Sequence, residues 1–195
     1  GLGAYYAQRF TQEGAYVAIC DIENSLDSTH AIKAICDVTN AQNCKSFAEQ
    51  VTHELGTIDI LINNAALYGA LHFNPFDTID EREWDACMSV NVKGIWNMSK
   101  AAFPFMKEKG GAIINIASLA ATYGMPYGVH YSASKGAVIS LTRAMAREVA
   151  KHHIRVNAVA PSLIDTPGTH QFLEDRADKV RDAVVGGQAL REQIT

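Results

Sequence analysis

The sequence predicts an α/β fold built on a doubly wound parallel sheet. Three observations carry this. Short strand-like runs recur that are apolar throughout rather than alternating with polar residues. Longer stretches with helical spacing separate them. A strand that is apolar throughout is covered on both faces, which is the condition of parallel strands joined by helical crossovers. The third observation is bulk. The chain has 195 residues, 48% hydrophobic and 19% charged, enough for one domain with a sizeable core.

The elements follow in order. Gly1-Leu2-Gly3-Ala4 opens a helical run to about Gln12, and Tyr16–Cys20 forms the first strand. Ile32–Val38 is the second strand, ending at Asp37-Val38. Asn40 can cap a helix that runs to about Leu55, because its side chain can accept from the first helical N–H groups. Ile58–Asn63 is a continuous apolar strand. One long helix is expected from about Asp80 to Lys109, closed by Gly110-Gly111. Ala112–Ala117 is a strand that ends in Ser118. Tyr127 to about Lys151 is a helix, and Ile154–Ala160 is a strand stopped by Pro161. No strand precedes the opening glycines, and none follows Leu163. The expectation is therefore one domain over residues 1–195 that is a fragment of a longer fold, with the N- and C-terminal strands missing. Residues 163–195 would be a substrate loop or lid.

A formal net charge of −4 gives no basic footprint for nucleic acid. No run approaches the roughly 18–20 apolar residues of a membrane span, and no leader pattern opens the sequence. Cys20, Cys36, Cys44 and Cys87 form no C-x-x-C pair and no metal-ligand spacing. They fit reduced thiols, so the expected location is cytoplasmic, with no metal. Asn97-Met98-Ser99 matches a glycosylation pattern but falls inside a helical stretch and is set aside.

Tyr131 and Lys135 carry the chemistry. Their i, i+4 spacing puts both on one helix face. A phenol is a poor base at neutral pH, with an ordinary pKa of about 10. A neighbouring ammonium would favour the phenolate and bring that value down. Such a tyrosine can exchange a proton with an alcohol or a ketone. Ser118, at the end of a strand, can hold the oxygen involved.

Other residues point to a dinucleotide. Gly1 and Gly3 can let a pyrophosphate approach the backbone at a helix N-terminus. Asp21 ends the next strand, where a carboxylate accepts from adenosine ribose hydroxyls. It would repel a 2′-phosphate, and no lysine or arginine follows before Lys33, so NAD is favoured over NADP. Asp37 and Val38 suit the amino group and flat face of adenine. Asn63-Asn64-Ala65-Ala66 ends the following strand with small residues that admit close approach.

Taken together, Gly1-Leu2-Gly3, Asp37, Asn63-Asn64-Ala65-Ala66, Asn91-Val92-Lys93-Gly94, Ser118, Tyr131 with Lys135, and Asn157-Ala158-Val159-Ala160-Pro161 resemble the short-chain dehydrogenase/reductase family, of its classical single-domain type. The resemblance implies a Rossmann fold with the site at the carboxyl ends of the strands. It implies Tyr131 as general acid/base and Lys135 on the nicotinamide ribose. It also implies Ser118 on the substrate oxygen, and Asn91 shaping its helix and holding a proton-relay water. Cofactor contacts would come from Gly1, Leu2, Gly3, Asp21, Asp37, Val38, Asn64, Ala65, Ala66, Tyr131 and Lys135. Pro161, Ile164 and Thr166 would lie at the carboxamide. The sequence departs from the family's usual Pro-Gly at Pro161-Ser162, and the crossover between Asp21 and Asp37 is short. An absent strand would lie mid-sheet, so a polypeptide of these residues alone is not expected to fold to a competent enzyme.

The expected reaction is hydride transfer between NAD(H) and a secondary alcohol or ketone. Leu67, Tyr68, Leu71, Phe73, Leu119, Tyr123, Met125 and Tyr127 would line the pocket and suit an apolar or aromatic substrate. A 3-oxoacyl thioester reductase is the rival enzyme. A non-catalytic dinucleotide-sensing regulator is the rival from another class. Val90, Val92, Ile95, Trp96, Val138, Ile139, Leu141 and Met145 exceed one apolar stripe per helix, and the resemblance implies a homodimer or homotetramer through these helices.

Overall fold

The computed structural model describes residues 1–23, 31–164 and 166. Helix α1 (Leu2–Gln12) leads into strand β1 (Val17–Asp21), and β2 (Ala31–Ile35) is followed by α2 (Ala41–Leu55) and β3 (Ile60–Asn63). Then come α3 (Glu81–Met88), a π-helical turn (Ser89–Lys93), α4 (Gly94–Met106) and β4 (Gly111–Ile116). A one-turn helix α5 (Ala120–Tyr123), the long α6 (Val129–Val149) and β5 (Ile154–Val159) complete the described elements.

Every strand pairing is parallel, as the apolar runs predict. β1 pairs with β2, setting Asp21 opposite Ile35. β4 lies between β3 and β5, with Asn63 opposite Asn115 and Ile116 opposite Val159. Among the described residues the two sets of strands are not paired with each other. β1 and β3 both line a cavity of ≈ 1720 Å³ that lies between the sets. The expected crossover at residues 24–30 lies outside the described residues, as does most of the 163–195 loop.

Helices cover the strands through apolar contacts. Cys36, Cys44, Phe47, Val51 and Met98 form one cluster joining α2 to α4. Ala102, Met106, Ile113, Ile154 and Val156 form another beneath β4 and β5. Asn40 caps α2 as expected, its Oδ1 accepting from the backbone N–H groups of Gln42 at 2.9 Å and Asn43 at 3.2 Å. Gly110 and Gly111 are both needed after α4. Their φ angles are +80° and +150°, and a Cβ on Gly111 would lie 2.5 Å from the Asp59 carbonyl oxygen.

Three element boundaries differ from expectation for identifiable reasons. β2 stops at Ile35, because Asp37 Oδ1 accepts from the backbone N–H and the hydroxyl of Thr39 at 2.8 and 2.7 Å. That local turn competes with the strand ladder, so Asp37 and Val38 sit in a turn beyond the strand end. The single helix expected over 80–109 begins after its Asp80 cap and is interrupted by the π-helical turn around Asn91. The helix expected from Tyr127 begins at Val129, since Tyr127 itself has φ +65°.

Among the described residues no helix is long and apolar enough to cross a membrane. All four cysteines are free.

Candidate active site

Ser118, Tyr131 and Lys135 converge where β4 ends. Ser118 follows the strand, and its hydroxyl is held by the Ala120 N–H at 3.1 Å. Tyr131 and Lys135 lie in the first two turns of α6, both buried. The Ser118 side chain stands close enough to the Tyr131 phenol to act on its proton equilibrium. Lys135 Nζ lies 5.7 Å from the centre of the Tyr131 ring and donates to the Ile116 carbonyl at 2.7 Å.

Burial dominates the electrostatics. It raises the Tyr131 phenol above its ordinary value, while the Ser118 hydrogen bond pulls the other way and Cys87 adds to the rise. Burial also lowers the Lys135 amine to about 8, partly opposed by Cys87. The phenol lowered by its neighbouring cation, expected from spacing alone, is therefore corrected. The amine that would pull it down is desolvated and turned toward a backbone carbonyl.

Asn91 is fully buried within the π-helical turn. Its Oδ1 accepts from the Leu67 N–H at 2.7 Å, and its Nδ2 donates to the Leu67 carbonyl at 3.2 Å and to Ser134 Oγ at 3.0 Å. Ser134 in turn donates to the Tyr131 carbonyl at 2.7 Å. Asn91 thus ties the loop after β3 to the Tyr131 helix.

Seven of the expected cofactor residues, Gly3, Asp21, Asp37, Val38, Asn64, Ala65 and Ala66, line the cavity between β1 and β3. Gly1 and Leu2 stand at the start of α1 but do not line it. A Cβ on Gly3 would lie 2.9 Å from Asn64 Nδ2, so glycine lets the start of α1 approach the Asn64 side chain closely. Asp21 is exposed at the end of β1, and its carboxylate accepts the Glu23 N–H at 3.3 Å. These features fit a dinucleotide, with an acid free to meet hydroxyls and small residues beside the backbone. Pro161 reaches the Ser118 side through its carbonyl, which accepts the Leu119 N–H at 2.9 Å. Ile164 and Thr166 follow it and are half-buried.

The surroundings of Tyr131 are apolar. Leu71, Cys87, Ala120 and Tyr131 form a buried cluster, with Leu67, Tyr68, Phe73 and Met125 packed against them. Tyr68 packs against Tyr131 with ring centres 4.9 Å apart and the planes tilted by 46°. Three expected wall residues, Leu119, Tyr123 and Tyr127, do not join this cluster. Tyr123 and Tyr127 are 77% and 60% exposed, because they flank the turn at Gly124 rather than face the phenol.

Sequence reasoning missed a buried polar layer behind the site. Asn63 Nδ2 donates to Asn115 Oδ1 at 2.8 Å and to Ser99 Oγ at 3.2 Å, and Asn115 Nδ2 donates to Thr142 Oγ1 at 2.9 Å. It also missed Asn97, whose Nδ2 donates to the Val38 and Thr39 carbonyls at 2.8 and 3.2 Å. A buried-strand asparagine opposite another was the available signal for the first. Nothing local marked the second.

The sequence matches the family model for short chain dehydrogenase over residues 1–177. A 3-oxoacyl-acyl-carrier-protein reductase of Thermotoga maritima is 37% identical over 185 residues, 89% of this chain and 74% of its own length. A galactitol 2-dehydrogenase of Agrobacterium fabrum is 38% identical over 184 residues, 90% of this chain and 70% of the relative. Among solved structures, an NAD+-bound xylitol dehydrogenase superposes with a TM-score of 0.90 at 28% identity, covering 98% of this chain and 82% of the other.

Proposed function

The chain belongs to the short chain dehydrogenase family, and from that membership we propose that it interconverts a secondary alcohol and a ketone with NAD(H). The observation that carries the reading is the convergence of Ser118, Tyr131 and buried Lys135 where β4 ends, against an apolar cluster. Tyr131 exchanges the proton with the substrate oxygen, and Ser118 holds that oxygen. A phenol raised by burial stays protonated at neutral pH, which is the state that donates to a ketone. Bound NAD(H) supplies or accepts the hydride.

Lys135 binds the nicotinamide ribose, and Asn91 fixes the helix that presents Tyr131 and holds the relay water. Gly1, Leu2 and Gly3 take the pyrophosphate. Asp21 takes the adenosine ribose, which favours NAD over NADP. Asp37 and Val38 frame the adenine, and Asn64, Ala65 and Ala66 lie along the riboses. Pro161, Ile164 and Thr166 hold the carboxamide. The protein acts in the cytoplasm as a homodimer or homotetramer through α4 and α6, where Trp96 remains 47% exposed. Light scattering that gives a monomer would remove that assembly.

The pocket favours an apolar or aromatic substrate. The 3-oxoacyl thioester reading draws support from the Thermotoga relative, but the acid at Asp21 and the net charge of −4 suit neither NADP nor an acidic carrier protein. Absorbance at 340 nm with NADH and then NADPH, against aryl ketones, keto-sugars and an acetoacetyl thioester, separates these readings. Fastest NADH oxidation with an aryl ketone supports the proposal. A clear preference for a sugar or a thioester removes the substrate class, and no turnover with any of them removes the enzyme.

A further inference from the structure

A carboxylate outside the Ser118, Tyr131, Lys135 and Asn91 group joins three parts of the pocket. Glu83 lies in the first turn of α3, with its side chain only 17% exposed. Its Oε1 accepts the His72 N–H at 3.0 Å, and its Oε2 is 2.7 Å from His72 Nδ1. The same Oε1 is 3.2 Å from Nε2 of His130. His130 is wholly buried and immediately precedes Tyr131 in α6. The His130 contact is close but off-axis, and neither ring nitrogen of His130 finds a well-directed hydrogen bond. A wholly buried imidazole without a well-directed hydrogen bond carries a desolvation cost, which makes the purpose of its close contact with Glu83 worth tracing.

The residues around it suggest that purpose. Leu71 belongs to the buried apolar cluster around Tyr131, and Phe73 packs against that cluster. The Phe73 ring lies 6.1 Å from the rings of both Tyr68 and His130. On the other side Phe73 presses on Gly128, where a Cβ would come within 2.6 Å of its Cε1. The Leu71–Phe73 segment is thus wedged between Tyr68 and the start of the Tyr131 helix, and Glu83 holds its middle residue.

We propose that Glu83 is a positioning residue that, braced against His130, clamps the Leu71–Phe73 wall and so sets the width of the substrate pocket over Tyr131. This rests on the reading of the pocket as the substrate site. The clamp touches neither the reacting oxygen nor the dinucleotide residues, so it acts on substrate fit rather than on the proton step.

The test compares Glu83→Ala and Glu83→Gln in the full chain. In Glu83→Ala, KM for the best ketone should rise about tenfold while kcat stays within about twofold and NADH affinity is unchanged. The His72 amide should exchange with solvent at least about tenfold faster. Glu83→Gln keeps one acceptor oxygen but presents an N–H₂ that cannot accept, so its KM should rise in the same direction by less. An unchanged KM in both variants overturns the assignment, as does a fall in kcat and NADH affinity with KM unchanged. If the alanine variant does not fold, the glutamine variant alone decides by the same criterion. Amide exchange needs no turnover. Faster His72 exchange in a chain that reduces no ketone would sink the proposed function and leave the clamp standing, whereas unchanged exchange sinks the clamp whatever the activity.

Discussion

Lys135 Nζ donates to the carbonyl of Ile116 at 2.7 Å, the last residue of β4, and this bond anchors α6 to the strand end from which Ser118 projects. The amine is 2% exposed, so its charge is carried into the interior with one carbonyl for company. A charge buried that way is expensive, and deprotonation relieves the cost.

Stability of the ligand-free protein should therefore depend on pH in a set direction. The Lys135 amine is lowered in the fold to about 8 from an ordinary 10.5. Between these values the unfolded chain binds more protons than the folded one, so stability rises with pH across that window. The gain is on the order of 3 kcal/mol at most. The raised thiols of Cys20, Cys44 and Cys87 act oppositely once pH passes their unfolded value of 9.0, and the raised Tyr131 phenol does so past 10.0. Denaturant melts at intervals from pH 7 to 9 should show the increase, and Lys135→Met should flatten it. A wild-type curve that falls steadily over this range would contradict the burial argument.

Asn97 should matter for the dinucleotide although it cannot touch it. Its Nδ2 holds the Val38 and Thr39 carbonyls from α4. Asn97→Leu leaves those carbonyls without this donor, at a cost of about 1–3 kcal/mol. The Asp37–Thr39 turn should loosen, with NADH affinity down roughly tenfold and kcat at saturating NADH close to normal. Fluorescence titration of NADH checks this, and an unchanged affinity would show that the turn holds its shape without Asn97.

Gly94 faces the same turn from below. A Cβ there would lie 2.6 Å from Val38 Cγ2. Gly94→Ala should displace Val38 and weaken NADH binding, even though alanine favours the helix by about 1 kcal/mol. A thermal melt that rises together with intact NADH affinity would mean that Val38 moves aside freely.

The choice of dinucleotide is assigned to Asp21, exposed at the end of β1. Asp21→Ser removes the charge that would oppose a 2′-phosphate. The ratio of kcat/KM for NADH over NADPH should drop by about tenfold or more. An unchanged ratio would place the discrimination elsewhere.

Much of this was readable in the chain because it depends on period and end position. Continuous apolar runs gave parallel strands, and the spacing of Tyr131 and Lys135, read together with the other motifs, placed both on one helix face near the strand end that carries Ser118. The structural errors came where side chains override the backbone pattern. Asp37 turns the chain by bonding to Thr39 and so ends β2 early. The π-helical turn around Asn91 breaks a pattern that periodicity reads as one helix. Glu83 and Asn97 act across 47 and 58 or 59 positions of sequence, and no local signal encodes such partners. The phenol was misjudged because spacing shows that a lysine is near but not how deeply both groups are buried.

Single-turnover oxidation of NADH by the best ketone, followed at 340 nm in the wild type and in Tyr131→Phe, tests the central claim most directly. The variant should bind NADH within about twofold of the wild type, while hydride transfer slows by about two to four orders of magnitude, because the proton donor to the forming alkoxide is gone. Hydride transfer at the wild-type rate in Tyr131→Phe would contradict the account.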